Sequence, residues 1–586
     1  MKIYKKAIIY DKEMCGLVTN FVDKNFAFLS ERQRNQYWKT IENTYIASYS
    51  LSNYYLVPEV NSLNYNNALF TKGLLLRTTN GIRDAIYSSG NKELISQYEQ
   101  LGNLRQEIRT LQQKTDYKKD YVQTLENSAD SLDKALTQAS TAFRDLKADM
   151  AMTWQDVQKQ LKPDEAAIEF VDFRLYNKNW TDSTMYAALV LRPGMSSPEW
   201  IPLCEQKQLD AILQATIQNT QLQTENLYDT KGEKLFNTIW KPLEQALQGV
   251  KTVYYSPSGL LYKIAFSALP TDEDNILLSD KYNLNLVSST REVVQLKKET
   301  NVPITQDTTV IYGGLTYDVQ QSAMLAAAKP YIQQGTSTDD SSDRNSKRAS
   351  ELELPSMALR DGLKEWPYLA GTKSETEQIV KSLSAKHISY QYYTGDKGNE
   401  ESFKHLSGTK TGVIHLSTHG FFLSDIEDKV QKDFMQRLGG NKEKPFENPL
   451  LRSGLIMSGA NNQWLAKDYI MQDGIEDGIL TADEIAQLNL TKTKLVVLSA
   501  CETGLGDVKN SEGVFGLQRA FKLAGVESLI MSLWKVPDEA TADLMTTFYQ
   551  QWLSGQSKQN AFKTAQQKVR EKYQSPFYWA AFVMMD

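Results

Sequence analysis

The sequence predicts an α/β protein built on a mainly parallel sheet with helices on both faces, preceded by an all-helical region. Three observations carry that expectation. From about residue 308 onward, short apolar strand-type runs alternate with helix-period stretches, the pattern of parallel strands joined by crossover helices. Residues 1–150 instead space their apolar side chains by threes and fours, as at Leu94, Tyr98, Leu101, Leu104, Ile108 and Leu111. Between these regions, over 151–305, strand-type runs at 166–173, 186–192 and 253–255 surround helix-period residues at 206–247.

Taken in order, Val122, Leu125, Leu132 and Leu136 continue the helical period, so the first 150 residues read as long amphipathic helices or a helical hairpin. No clean 34-residue repeat is present. The C-terminal part reads as a strand at 309–314, a helix from Ser374, a strand at 388–393, a helix near Glu401 and a strand running to His419. A strand at 454–457, a helix near Ala482, a strand running to Cys501, a helix from Gly513, a strand at 528–533 and two final helices follow. Segment 318–356 contains the polar tract 334–347 and reads as an exposed disordered insertion. The charged, glycine-bearing stretch 424–448 reads as a mobile loop beside the histidine strand.

A chain of 586 residues holds several units with ample core-forming material. Its formal net charge of −6 gives no surplus to neutralise phosphates, so direct nucleic-acid binding is not favoured. The three cysteines, Cys15, Cys204 and Cys501, are odd in number and far apart, which argues against a disulfide framework and suits a reducing, cytoplasmic compartment. The first 14 residues break every apolar run with charge, leaving no signal-peptide core. No stretch approaches the ~18–20 apolar residues of a membrane span, so no membrane association is expected.

Two strand ends carry the chemistry. An apolar run delivers Cys501 into a glycine-containing turn, and another delivers His419, followed at once by Gly420. An imidazole beside a thiol raises its thiolate fraction and later protonates a leaving amine. Glycine after the histidine permits close backbone approach, so the N–H groups of Gly420 and Cys501 are the candidate oxyanion donors. His415 lies four residues before His419, about 13 Å away at ~3.3 Å per residue, too far to share a metal, and reads as a packed core residue. No metal or cofactor is implied; the glycine-rich stretch 503–513 lacks the Gly-Lys-Ser/Thr ending of a phosphate loop. Glu502 and Asp483 are weaker candidates for an acid that orients the histidine.

The order His then Cys, with these flanks, resembles the caspase-like cysteine peptidases, and further motifs resemble the CHAT domain family. They are the stretches 254–269, 369–377 (Leu-Ala-Gly-Thr-Lys-Ser-Glu-Thr-Glu), 448–455, 478–485 and 524–538, so the likeness covers roughly residues 150–586. The resemblance implies a caspase-like αβα sandwich with His419 as general base and Cys501 as nucleophile of a cysteine endopeptidase. It implies an inactive caspase-like half at 151–305, which carries no histidine, and a catalytic half at 306–586. Residues 64–76 resemble the segment that follows tetratricopeptide repeats in such proteins, which implies that region 1–150 brings a protein substrate or a regulatory partner. The family's use in bacterial defence implies a protease idle until that partner binds.

Ser499 stands where related arginine-directed peptidases often carry an acid, and supplies neither charge nor reach, so basic-residue specificity is not supported from that position. Asp425, Glu427 or Asp473 are weak alternatives for lining the substrate pocket. The rivals are a non-proteolytic interaction scaffold, which predicts a degraded dyad, and a cysteine amidotransferase, which places Cys before His.

Overall fold

The computed structural model describes the chain except residues 1, 56, 113–117, 141–150, 215–218, 298–307, 333–364, 423–448, 465–474, 501–506 and 510–512. Seven helices open it: α1 (Lys2–Asn25), α2 (Glu31–Ile41), α3 (Asn43–Tyr54), α4 (Pro58–Thr71), α5 (Leu74–Ser88), α6 (Lys92–Gln112) and α7 (Lys119–Ala139). Their starts follow from local chemistry. The Ser30 hydroxyl accepts from Gln33 N–H while the Gln33 side chain accepts from Ser30 N–H, and Pro58 occupies the first turn of α4. The spacing read from the sequence packs α6 on α7, burying Leu101, Ile108, Val122, Ala129 and Leu136. Tyr49, Tyr65, Ala68 and Leu69 of α3 and α4 then pack on the sheet residues Ala167, Val171 and Phe173.

The strands are β1 (Glu165–Asn177), β2 (Asn179–Leu191), β3 (Glu199–Glu205), β4 (Thr252–Ser256), β5 (Asn283–Leu286), β6 (Thr308–Leu315), β7 (Tyr390–Gly395), β8 (Thr411–Ser417), β9 (Gly420–Phe422), β10 (Ser453–Ile456), β11 (Ile479–Thr481), β12 (Leu495–Ser499), β13 (Asp507–Lys509), β14 (Gly513–Phe515), β15 (Ser528–Ser532) and β16 (Phe582–Met585). Eleven of them form one sheet in the order β3-β2-β1-β4-β5-β16-β15-β12-β8-β6-β7. Among the described residues its antiparallel pairings are β2 with β1 and with β3, and β15 with β16. The two strand-bearing segments thus share a sheet, joined where Met585 of β16 pairs with Leu286 of β5.

Among the helices that cover the later strands are α8 (Gln321–Ile332), α9 (Ala370–Ala385), α10 (Glu400–Lys404), α11 (Ala482–Ala486), α12 (Leu517–Ala524), α13 (Asp538–Leu553) and α14 (Lys558–Tyr573). Both faces are covered, which is why β8 and β12 read as continuous apolar runs. Val413, Leu495 and Val497 face the side of α9, α13 and α14, while Ile414, Leu416, Val496 and Leu498 face Phe403, Ile485 and Phe521. The result is the caspase-like αβα sandwich with a helical region ahead of it.

Several boundaries differ from the sequence reading. Residues 318–332 are not an exposed insertion: α8 spans 321–332 and buries Met324 and Ala328 beside Val319, because the run Ala323-Met-Leu-Ala-Ala-Ala328 is strongly helix-forming. The rest of the proposed insertion, 333–356, lies outside the described residues, as does loop 424–448. The strand at 453–456 is not in the main sheet but forms a small antiparallel one with β9 and β11. The helix expected from Gly513 starts at Leu517, after the hairpin β13–β14.

Candidate active site

β8 and β12 are parallel neighbours, with Ser417 paired to Ser499 at their carboxyl ends. Function in open α/β sheets sits at such ends. His419 lies two residues past β8, and its carbonyl accepts from Ile456 N–H at 2.9 Å, which ties its backbone to β10. Thr418 Oγ1 donates to the Ile456 carbonyl at 2.5 Å and meets Tyr317 Oη at 2.9 Å. The imidazole is half-buried between the rings of Trp366 and Tyr317, with centroids at 4.9 and 5.1 Å.

Its Nε2–H donates to the Pro367 carbonyl at 2.8 Å. This bond fixes the tautomer, since Nε2 carries the proton and Nδ1 keeps its lone pair. The acceptor is itself held: Asn461, fully buried, accepts from Trp366 N–H at 2.8 Å and donates to the Trp366 carbonyl at 3.0 Å and to Asp318 at 3.2 Å. Burial lowers the His419 pKa below the usual imidazole value; the Pro367 carbonyl opposes this, Lys535 adds to it and Asp538 opposes it. The free imidazole is therefore favoured as a proton acceptor near neutral pH.

A small pocket of about 50 Å³ lies against His419, lined also by Ser417, Ser499, Ala500, Trp534, Lys535 and Asp538. Ala500, the residue before Cys501, is 6% exposed, and its carbonyl accepts from Ser532 Oγ at 2.7 Å. Ser499 faces the pocket with its hydroxyl already engaged, donating to Glu375 at 3.0 Å. Gly420 begins β9 opposite Leu455.

Cys501, Asp425, Glu427, Asp473 and Glu502 lie outside the described residues. Asp483 sits on α11, buried, with Gln487 donating to it at 3.3 Å, and does not line the pocket beside His419. His415 is buried, 2.8 Å from Glu375, while His387 and His405 are exposed. Sequence reasoning missed Pro367, Trp366, Asn461, Lys535 and Asp538. Among the described residues Glu400, Glu476 and Glu484 have metal-like spacing, but the Lys404 ammonium fills their centre at 2.7, 2.9 and 2.9 Å. No helix among the described residues is long and apolar enough to cross a membrane.

The sheet topology, with His419 just past the carboxyl end of β8, is that of a caspase-like fold. The model of the CHAT domain matches residues 229–586, and the chain belongs to the CHAT domain family. It is 32% identical over 113 residues to human tetratricopeptide repeat protein 28 and 32% identical over 109 residues to the mouse protein. These matches cover 19% and 18% of this chain but only 4% of either relative. Among solved structures it is similar to the arginine-specific cysteine proteinase gingipain R, with 8% identity, a TM-score of 0.32 and coverage of 62% of this chain and 67% of that one. It is also similar to a Saccharomyces cerevisiae separase–securin complex, with 11% identity, a TM-score of 0.39 and coverage of 99% of this chain and 40% of that one.

Proposed function

We propose that the chain is a cysteine endopeptidase in which His419 and Cys501 form the dyad. The observation that carries this reading is the His419 Nε2–H bond to Pro367, which leaves Nδ1 as a proton acceptor at the strand end next to the one that leads into Cys501. Nδ1 takes the thiol proton as sulfur attacks a peptide carbonyl, and the resulting oxyanion is held by the N–H groups of Gly420 and Cys501. Collapse forms a thioester and expels the amine, which takes the proton from Nδ1. Water, deprotonated by the same nitrogen, then hydrolyses the thioester.

Regulation through the helical region has a physical route. On α5, Asn80 donates to the Lys522 carbonyl at 2.9 Å and Arg83 donates to the Leu523 carbonyl, so α5 grips the last turn of α12, the helix that follows segment 501–512. A protein partner that shifts α5 would move α12. A cytoplasmic setting is supported by the odd, widely spaced cysteines, and a bacterial defence role by the resemblance alone; the curated relatives matched are mammalian.

The test is mass-spectrometric mapping of new peptide N-termini after incubating a candidate substrate and partner with wild type, Cys501→Ala and His419→Ala. Either substitution alone is expected to remove nearly all cleavage, because dyad members act as a unit. Identical cleavage by all three proteins would refute the assignment.

A further inference from the structure

One buried carboxyl that this chemistry does not use sits where the two reactive strand ends leave the sheet. Glu375, on α9, is 2% exposed. Its Oε1 accepts from His415 Nε2–H at 2.8 Å, and its Oε2 accepts from the hydroxyls of Ser417 and Ser499, each at 3.0 Å. His415 Nδ1 lies 3.4 Å from Tyr549 Oη, an acceptor for that hydroxyl.

Ser417 and Ser499 are register partners in the last pairing between β8 and β12. Each stands two residues before a member of the dyad, His419 and Cys501. Up to that pairing the backbone ladder sets the strand separation. Beyond it β8 departs into β9 and the small sheet, while β12 ends at Ser499, two residues before Cys501 in the sequence. A single carboxyl oxygen that receives both hydroxyls therefore fixes the separation at the point where the ladder ceases to do so. Apolar side chains pack the rest of this face, and a buried polar group among them costs stability unless it is fully paired. The same helix begins three residues after Pro367, the acceptor for His419. Its start is seated closely on α13, since a Cβ at Gly371 would lie 2.2 Å from that of Asp538.

Building on the peptidase reading, we propose that Glu375 is a positioning residue: it clamps the ends of β8 and β12 at the separation at which His419 and Cys501 exchange a proton, acting through Ser417 and Ser499. The test follows iodoacetamide modification of Cys501 by peptide mass spectrometry between pH 5 and 9. Of the charged groups that line the pocket with His419, Lys535 and Asp538 are left unchanged, and Glu375 itself is the third.

The double variant Ser417→Ala/Ser499→Ala keeps the His415–Glu375 pair. It is expected to lower the Cys501 rate at pH 7 by about tenfold or more and to move the midpoint toward that of His419→Ala. In Glu375→Gln the amide oxygen still receives both hydroxyls and His415 changes tautomer, so the rate should stay within about threefold of wild type. A double variant that loses thermal stability but keeps the wild-type rate and midpoint would show a merely structural role and overturn the proposal. So would a loss in Glu375→Gln as large as that in the double variant. If wild-type Cys501 itself titrates as an ordinary thiol and ignores His419→Ala, the peptidase reading fails and the clamp with it.

Discussion

Replacing Lys72 with methionine should loosen the seat of the helical region on the sheet. Lys72 follows α4, is 7% exposed, and places Nζ 2.7 Å from Glu169 Oε2 on β1. It also donates to the Ser256 hydroxyl at 2.7 Å and to the carbonyls of Ser256 and Pro257 at 3.0 and 3.2 Å. Glu169 is fully buried, and its Oε1 accepts from Ser289 Oγ, Thr290 N–H and Thr290 Oγ1 at 2.9, 2.6 and 2.7 Å. Its Oε2 faces only Lys72 among the described residues.

Lys72→Met therefore leaves a buried carboxylate oxygen unpaired, a loss of about 3–5 kcal/mol for such pairs. At about 1.4 kcal/mol per decade, local opening should become about 100-fold or more easier. Amide hydrogen exchange over β1 and residues 288–292 reads this directly. Lys72→Met/Glu169→Gln should recover about half of the loss, since the carboxamide keeps an acceptor for Ser289 and Thr290 without a stranded charge. Exchange within about threefold of wild type in Lys72→Met would refute the reasoning.

Asn461→Ala removes both bonds to Trp366 and frees the Pro367 carbonyl, and should slow Cys501 alkylation at pH 7 by about tenfold, measured by peptide mass spectrometry. Because Lys535 lowers and Asp538 raises the His419 pKa, Lys535→Ala should move the His419 titration to higher pH and Asp538→Asn to lower pH, followed by imidazole NMR. Shifts in the opposite sense would contradict the site electrostatics. With its folded pKa depressed, His419 is neutral in the fold and protonates first when unfolded, so its contribution weakens stability as pH falls from the ordinary imidazole range toward the folded value. His419→Gln should flatten that part of the stability–pH curve, measured by thermal unfolding.

The parallel sheet and the histidine strand were legible because both are local patterns: apolar runs of strand length, and a His-Gly pair where one stops. His415 also reads correctly as a packed core residue from its mid-strand position. Glu375 left a signal that went unused. It lies on the face shared by Ile379 and Leu383, one and two turns on, so a charged residue sat on the core stripe of its helix. Asn461, Trp366 and Pro367 left none, since their meeting is set by contacts across about a hundred residues of chain. Strand 453–456 has the same apolar texture as the central strands, and nothing local says that it pairs with β9 and β11 instead. At 318–332 an alanine-rich helix stands directly before a polar tract, and composition averaged over both hides it.

The most direct test of the account compares the three cysteines of one protein sample. Burial pushes the Cys15 thiol up to about 12 and the Cys204 thiol up to about 11, so both should resist iodoacetamide at neutral pH. Cys501, activated by His419, should be alkylated at pH 7 at least about a hundredfold faster than either, and His419→Ala should remove about tenfold or more of that advantage. Labelling of Cys501 with the midpoint of an ordinary thiol, and at the same rate with and without His419, would contradict the account.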